Sequence, residues 1–344
     1  MARKLLLSGL ALAPLAAILN WVVEPGDVAV FCVSAAALVP LAWLIGEATE
    51  QAAEHTGAGI GGFLNASFGN APELIIALFA IGDGLPEVVR GSIAGSIVSN
   101  LLLVLGLSLV ATEVEEIGWR SLVSNLGLVG WAVILFLVPS VPGWHGDPNR
   151  HSLAVASIPV AAVLLVFYVG QTAQNLRRRQ AARHEPTPGS WSLRGALVTL
   201  AAATALTAVV SEVLVHTLEG FASSAGLSRF FVSAVIVAVV GNAAEHGGAI
   251  VVARRGKIRL ASEIAISSSA QVALLVAPLA ALLSFGVRPP LTLAFRPVEL
   301  ATIAAAAGFV GIVVWDRKGK RREGMLLLAA YAAVVAGYYV SGNR

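Results

Sequence analysis

Runs of about 20 predominantly apolar residues follow one another along almost the whole chain, from Leu5 to Ser341, with short polar breaks between them. A helix of that length crosses the hydrocarbon core of a bilayer. Inside that core every backbone N–H and C=O must find its partner within the helix. Charged residues make up 12% of the chain, against about 25% in a typical soluble domain, and the mean hydropathy is +0.81. A single large buried core would not produce run after run of spanning length, so the chain reads as an integral membrane protein. Its formal charge of +3 does not point to nucleic acid, because the basic residues sit beside the ends of the apolar runs, where they set topology. The single cysteine, Cys32, lies within an apolar run and can build neither a disulfide framework nor a Cys-based metal site.

The runs predict an all-α polytopic fold of eleven transmembrane helices, near 5–23, 28–46, 60–82, 91–112, 122–140, 152–171, 193–216, 229–252, 260–285, 295–315 and 325–341. The first could be a cleaved signal peptide, with Arg3 and Lys4 before a Leu/Ala-rich stretch. Its length exceeds a usual signal core and it contains Pro14, so we read it as an uncleaved span over 1–27. With the N-terminus cytoplasmic, the clusters Arg177–Arg179, Arg254–Arg259 and Arg317–Arg322 all fall inside. Arg90, Arg150, Arg229, Arg288, Arg296 and Arg344 remain in outside segments, so the positive-inside rule favours this orientation. The longest polar break, 172–192, carries an Arg cluster, Pro186, Pro188 and Gly189, and reads as a flexible basic cytoplasmic linker.

An internal repeat is the most informative feature. Gly69-Asn70-Ala71-Pro72-Glu73 recurs 172 residues later as Gly241-Asn242-Ala243-Ala244-Glu245, and Glu47 precedes the first copy as Glu219 precedes the second. On the fourth span Ser96, Ser99 and Asn100 answer to Ser267, Ser268 and Gln271 on the ninth, Asn100 and Gln271 lying 171 apart. Five spans separate the matching helices. Five is odd, so the second copy enters the membrane from the other side. The spacing therefore predicts one extra helix followed by two inverted five-helix repeats, 28–171 and 193–344, with a site near the midplane where they meet.

A glutamate at mid-membrane costs roughly 2.5 to 3.5 kcal/mol on insertion scales, a heavy penalty for a structural role. Asn70 and Glu73 share one helix face at i and i+3, as do Asn242 and Glu245. Gly69 and Gly241, one turn earlier, permit a close helix approach or a break that turns backbone carbonyls into the site. With Asn100, Gln271, Ser99 and Ser268 the result is an all-oxygen pocket, suited to a hard cation such as calcium. A buried carboxylate without its cation favours the protonated form, so cation and proton compete for the same oxygens. Two carboxylates would exchange two protons for one divalent ion. Any higher stoichiometry needs another titrating group, for which Glu219, Glu299 and His246 are the candidates, although packing suits His246 better. The polar stretch with Glu47, Glu50, Glu54 and His55 predicts a break before the third span, as either a gating helix or a solvated loop.

GNAPELIIALFAI (Gly69–Ile81) and GNAAEHGGAIVVA (Gly241–Ala253) resemble the paired motifs of the calcium/proton exchanger (CAX) family, in the calcium/cation antiporter superfamily. FLNASFGN before the first motif and SSSAQVALLVAP after the second are similar to that family as well. The resemblance implies eleven helices and divalent-cation export driven by proton entry. Glu73 and Glu245 would be the ion and proton carboxylates, lined by Asn70, Asn242, Asn100 and Gln271. Two departures stand out: the linker is basic where the family often carries an acidic helix, and Pro72 replaces a small or β-branched residue. The alternatives are a sodium-coupled or other-divalent exchanger of the same superfamily, or a channel. No HExxH, protease or nucleotide-binding motif points to an enzyme. The expected partners are calcium or a related divalent cation, protons and the lipid bilayer, with no nucleic acid and no cofactor beyond the transported ions. A homo-oligomer is compatible with the chain. The Ala, Gly and Arg content suggests a prokaryotic plasma membrane.

Overall fold

The computed structural model describes residues 2–111, 115–179, 191–287 and 289–342. Most of the expected linker, including Pro186, Pro188 and Gly189, lies outside the described residues, as do Glu113, Arg288 and Arg344. Among the described residues the regular structure is helical apart from one pair of two-residue strands, β1 (Glu115–Glu116) and β2 (Lys318–Gly319), which pair antiparallel.

The helices run in order as α1 (Lys4–Val23), α2 (Asp27–Phe68), α3 (Ala71–Gly82), α4 (Pro86–Val110), α5 (Trp119–Gly143) and α6 (His151–Arg179). They continue as α7 (Leu193–Ser224), α8 (Arg229–Gly241), α9 (Ala243–Arg254), α10 (Ile258–Gly286), α11 (Pro297–Val313) and α12 (Arg321–Gly342). Their ends follow ordinary signals. Glu24 and Gly26 take positive φ to end α1. Ser192 and Ser228 accept backbone N–H bonds at the starts of α7 and α8, while Pro86 and Pro297 occupy the first turns of α4 and α11.

Among the described residues eight helices are long and apolar enough to cross a membrane. The bent pair α8–α9, angled by 57°, makes a ninth, and α3 and α11 are shorter apolar helices. Trp131, Ile134, Val138, Val166, Val169 and Ile312 point outward from the bundle, as suits a lipid-facing surface. α4 and α10 are the most enclosed spans after that count, whereas α1 and α12 pack at the rim.

The principal difference from the sequence reading concerns the expected break before residue 60. Helix α2 runs through it without interruption for 42 residues, about 63 Å at 1.5 Å per residue and twice the thickness of a hydrocarbon core. The physical reason is composition. Glu47-Ala48-Thr49-Glu50-Gln51-Ala52-Ala53-Glu54 is polar, but it contains neither Gly nor Pro and is rich in good helix formers. Polarity alone does not end a helix. The break comes instead at Gly69–Asn70. In the second half the corresponding place is a true turn, Ala225–Ser228, between α7 and α8. A second correction concerns Arg90, expected in an outside segment: it lies in the second turn of α4 and is only 3% exposed.

The duplication appears in the backbone itself. Helices α3 and α9 are both 12 residues long and begin 172 residues apart, at Ala71 and Ala243. Asn70 (φ −99°, ψ 15°) and Asn242 (φ −89°, ψ 10°) break the chain before them in nearly the same conformation. After them Gly84 (φ 72°) and Gly256 (φ 71°) make the same left-handed turn into α4 and α10, which also start 172 apart. Both α4 and α10 then contain a wide π-helical stretch, Ser99–Val104 and Val272–Val276.

The halves pack backbone against backbone where α4 crosses α8. A methyl group at Gly95 would overlap the backbone carbonyl of Ala234, and one at Gly91 would overlap the Ser233 hydroxyl. Gly95→Ala is therefore expected to cost about 1–3 kcal/mol as overpacking, seen as a lowered melting temperature in detergent. Gly127→Ala on the exposed face of α5, where nothing lies within 4 Å of the added methyl, should leave the melting temperature unchanged or slightly raised.

Candidate functional site

Each glutamate of the repeat occupies the third position of a helix that begins inside the bundle. Glu73 follows Ala71 and Pro72 in α3, and Glu245 follows Ala243 and Ala244 in α9. The chain breaks just before each helix, so the carboxylates sit beside unsatisfied N–H groups at the positive ends of the helix dipoles. The break thus has two effects: it turns the side chain inward and it partly offsets the cost of burying an anion.

Glu73 is 9% exposed, and its carbon chain faces Gly241 of the opposite half. A methyl at Gly241 would come 3.5 Å from the Glu73 Cγ, an ordinary van der Waals contact, so the two motifs lie side by side across the interface. Glu73 and Glu245 lie within electrostatic range of each other. The Ser268 hydroxyl hydrogen-bonds the Glu245 carboxylate. Both carboxylate oxygens of Glu73 and the Oε2 of Glu245 are buried without a hydrogen-bond partner among the described residues. Beside Glu73, a cavity of about 10 Å³, room for one water, is lined by Ser92, Ser96, Gly241 and apolar side chains.

The buried amides form a lattice that joins the halves. Asn70 Nδ2 donates to Gln271 Oε1 at 2.8 Å. Asn100 Nδ2 donates to Asn242 Oδ1 at 3.1 Å and to Ser268 Oγ at 2.9 Å. Asn242 Nδ2 donates to Ser96 Oγ at 2.7 Å and to the Ala238 carbonyl at 2.9 Å. Asn70 corresponds to Asn242, and Gln271 to Asn100. The same contact is thus made twice, once from each half. Asn100 Oδ1 remains buried without a partner among the described residues, like the carboxylate oxygens.

Of the residues expected at the site, Glu73, Glu245, Asn70, Asn242, Asn100, Gln271, Gly241 and Ser268 come together. Gly69 is part of the break before α3. Ser99 and Ser267 donate instead to carbonyls of their own helices, Ser96 O and Ile264 O, both at 3.2 Å. The better-matched serines are Ser96 and Ser268, which stand 172 apart and each accept an Asn side chain. Scanning that one offset would have found them.

The other acidic candidates lie elsewhere. Glu299 is 1% exposed and accepts the Arg296 N–H at 2.6 Å, capping α11. Glu219 pairs with Arg229 at 3.1 Å, at the start of α8. His246 is buried on α9. His55 and Gln51, on the extension of α2, hold the backbone of Trp191, at the end of the expected linker. Among the described residues no three His, Cys, Asp or Glu side chains converge. The site therefore offers two carboxylates with amide and hydroxyl oxygens, a hard-cation donor set.

The amide lattice predicts unequal costs. Asn242→Leu strands the Asn100 N–H and the Ser96 hydroxyl and should destabilise the protein by about 1–3 kcal/mol, whereas Ser99→Ala should lower the melting temperature little. Thermal unfolding of the two purified variants side by side checks this.

The sodium/calcium exchanger protein family model matches the chain over residues 27–175 and 195–340. Among curated relatives, the Ca(2+)/H(+) antiporter ChaA of Bacillus subtilis (strain 168) is 35% identical over 351 aligned residues, covering 98% of each chain. The vacuolar calcium ion transporter of Schizosaccharomyces pombe is 33% identical, over 96% of this chain and 83% of its own. The solved structure of native YfkE superposes with a TM-score of 0.82 at 33% identity, covering 98% of this chain and 99% of that one. The H+/Ca2+ exchanger CAX has a TM-score of 0.72 at 16% identity, covering 99% and 93%, a likeness of fold alone.

Proposed function

The chain belongs to the sodium/calcium exchanger protein family, and on that premise we propose that it is a secondary transporter exchanging Ca2+ for H+ by alternating access. The observation that carries this reading is the pair of buried carboxylates, of which both Glu73 oxygens and the Glu245 Oε2 lack a hydrogen-bond partner among the described residues. Such groups are stable only when something else occupies them, and protons and a divalent cation both suffice. Glu73 and Glu245 bind the cation or protons in competition. Asn100 and Asn70 lie beside them to complete the oxygen cage. In the described state Asn242, Gln271, Ser96 and Ser268 serve mainly as struts, since their oxygens already accept hydrogen bonds. The relatives named as Ca(2+)/H(+) antiporters, similar over nearly the whole chain, support calcium and protons as the exchanged ions. No enzymatic step and no cofactor enters this reading.

The fold is read as eleven spans: α1, then two five-span repeats of opposite orientation over 28–171 and 193–344, joined by the basic linker 172–192. Support comes from helix bounds and turn conformations recurring at 172 residues, and from a family match that falls in two stretches of similar length. The joint around residues 47–59 is the exception to the symmetry, because α2 passes through it unbroken. The N-terminus is read as cytoplasmic, in a prokaryotic plasma membrane; the clustered arginines and lysines support that orientation.

Calcium uptake into proteoliposomes under an imposed pH gradient tests the reading. Wild-type protein should take up calcium with a pH gradient alone, and Glu73→Gln and Glu245→Gln should each reduce uptake to that of protein-free vesicles. Uptake that ignores protons but follows a sodium gradient would change the coupling ion. Normal transport by both variants would remove the carboxylate pair from the mechanism.

A further inference from the structure

One end of the bundle is sealed by charged side chains that belong to neither motif. Arg90, on α4, is buried, and its guanidinium donates to Asn149 Oδ1 at 2.9 Å and to Thr292 Oγ1 at 3.2 Å. Asn149 lies in the connection between α5 and α6, and Thr292 in the segment before α11, so a single side chain ties the two halves together. It makes no ion pair within 4 Å among the described residues; the charges facing it are Glu299, Glu87, Asp147 and Arg296. Two of these are already engaged. Glu299 takes the Arg296 N–H, and Glu87 is gripped by Arg296 at 3.3 Å and Arg229 at 3.8 Å.

The position of Arg90 along α4 gives this arrangement its meaning. Arg90 and Glu87 line an open cavity of about 350 Å³ at one end of the bundle. Ser92 and Ser96, the next turns of the same helix, line the small cavity beside Glu73. Six residues of helix place Arg90 only about 9 Å along the axis from Ser96. A fixed positive charge therefore stands between the carboxylate site and this larger cavity. Just beyond it, Gly91 and Gly95 let α8 pack directly against α4.

The matching place in the other half is built differently. The residue 172 beyond Arg90 is Ser262, whose hydroxyl donates to the Arg259 carbonyl of its own helix, at 2.9 Å. The residue matching Glu87 is Arg259, which is largely exposed and pairs with Glu263 four residues along the same helix. One end is thus locked across the halves by an arginine, and the equivalent position at the other end carries no such lock.

We propose that Arg90 is the gate residue of the exchange on the face that bears His145. It is a positioning residue that closes the carboxylate site by bridging the halves and by repelling a divalent cation from that exit. Opening to this face requires its bonds to Asn149 and Thr292 to break. The inference rests on the exchange reading for the identity of the ion, but not for the existence of the gate.

The test uses full-length protein in proteoliposomes, with Cys32 replaced by serine and a reporter Ser92→Cys. A membrane-impermeant thiol reagent is added from the His145 face, with His145→Cys as the marker of that face. With Arg90 in place the reporter should react slowly from this side. Arg90→Gln should speed labelling several-fold and let calcium cross without a pH gradient, uncoupling flux from protons. If Arg90→Gln does not fold, Asn149→Leu, which removes one acceptor and leaves the arginine, should also speed labelling from this face. Unchanged labelling in a folded variant, with coupling intact, would overturn the proposal. The labelling does not depend on transport, so it can succeed even if the Glu73→Gln experiment removes the Ca2+/H+ reading.

Discussion

Two carboxylates held in an apolar interior set the terms for everything around them. Each costs several kcal/mol to bring there, and neither can be left uncompensated. Part of the compensation is local: Glu73 and Glu245 stand in the first turns of helices that start inside the bundle, next to unsatisfied backbone donors. To start a helix there, the preceding one must stop there, and Asn70 and Asn242 provide that break. The remainder is left undone. Both Glu73 oxygens and one of Glu245 find no partner among the described residues, so occupancy by ions completes the structure.

The breaks have a second consequence. An interrupted helix exposes polar backbone and side chains that only another polar surface can meet, and in a membrane that surface has to be protein. Here it is the other half of the same chain. Asn70 reaches Gln271, and Asn100 reaches Asn242, so the broken point of each half is bound to an amide of its counterpart. The glycines at 91 and 95 let the halves pack within that reach. Site and inter-half interface are therefore one structure.

Much of this was legible in the residues, and the failures have physical reasons. The motif pair and its offset identified the carboxylates, the broken helices and the amides, because polar groups inside apolar runs have few structural excuses. The course of α2 was misread because a polar stretch was treated as a helix end; Glu, Ala and Gln propagate a helix whether or not water surrounds it. Arg90 was assigned to an outside segment because the helix start was placed one turn late. Pro86 was the available signal, since proline favours the first turn of a helix. Ser99 and Ser268 looked equivalent in the sequence. Only their neighbours distinguish a hydroxyl spent on its own helix from one that crosses the interface.

The paired amide bonds are alike in their residues but opposite in sense. Asn70 donates to its partner across the interface, whereas Asn242 accepts from its own. In a duplicated chain, exchanging the conformations of the two halves would reverse these roles and leave the number of bonds unchanged. By these amide bonds alone the two arrangements would be matched, and the asymmetry rests with the Arg90 bridge at one end. As far as the amides go, a machine of this kind needs no internal spring to return it, and its direction is left to the ions that load it on either side.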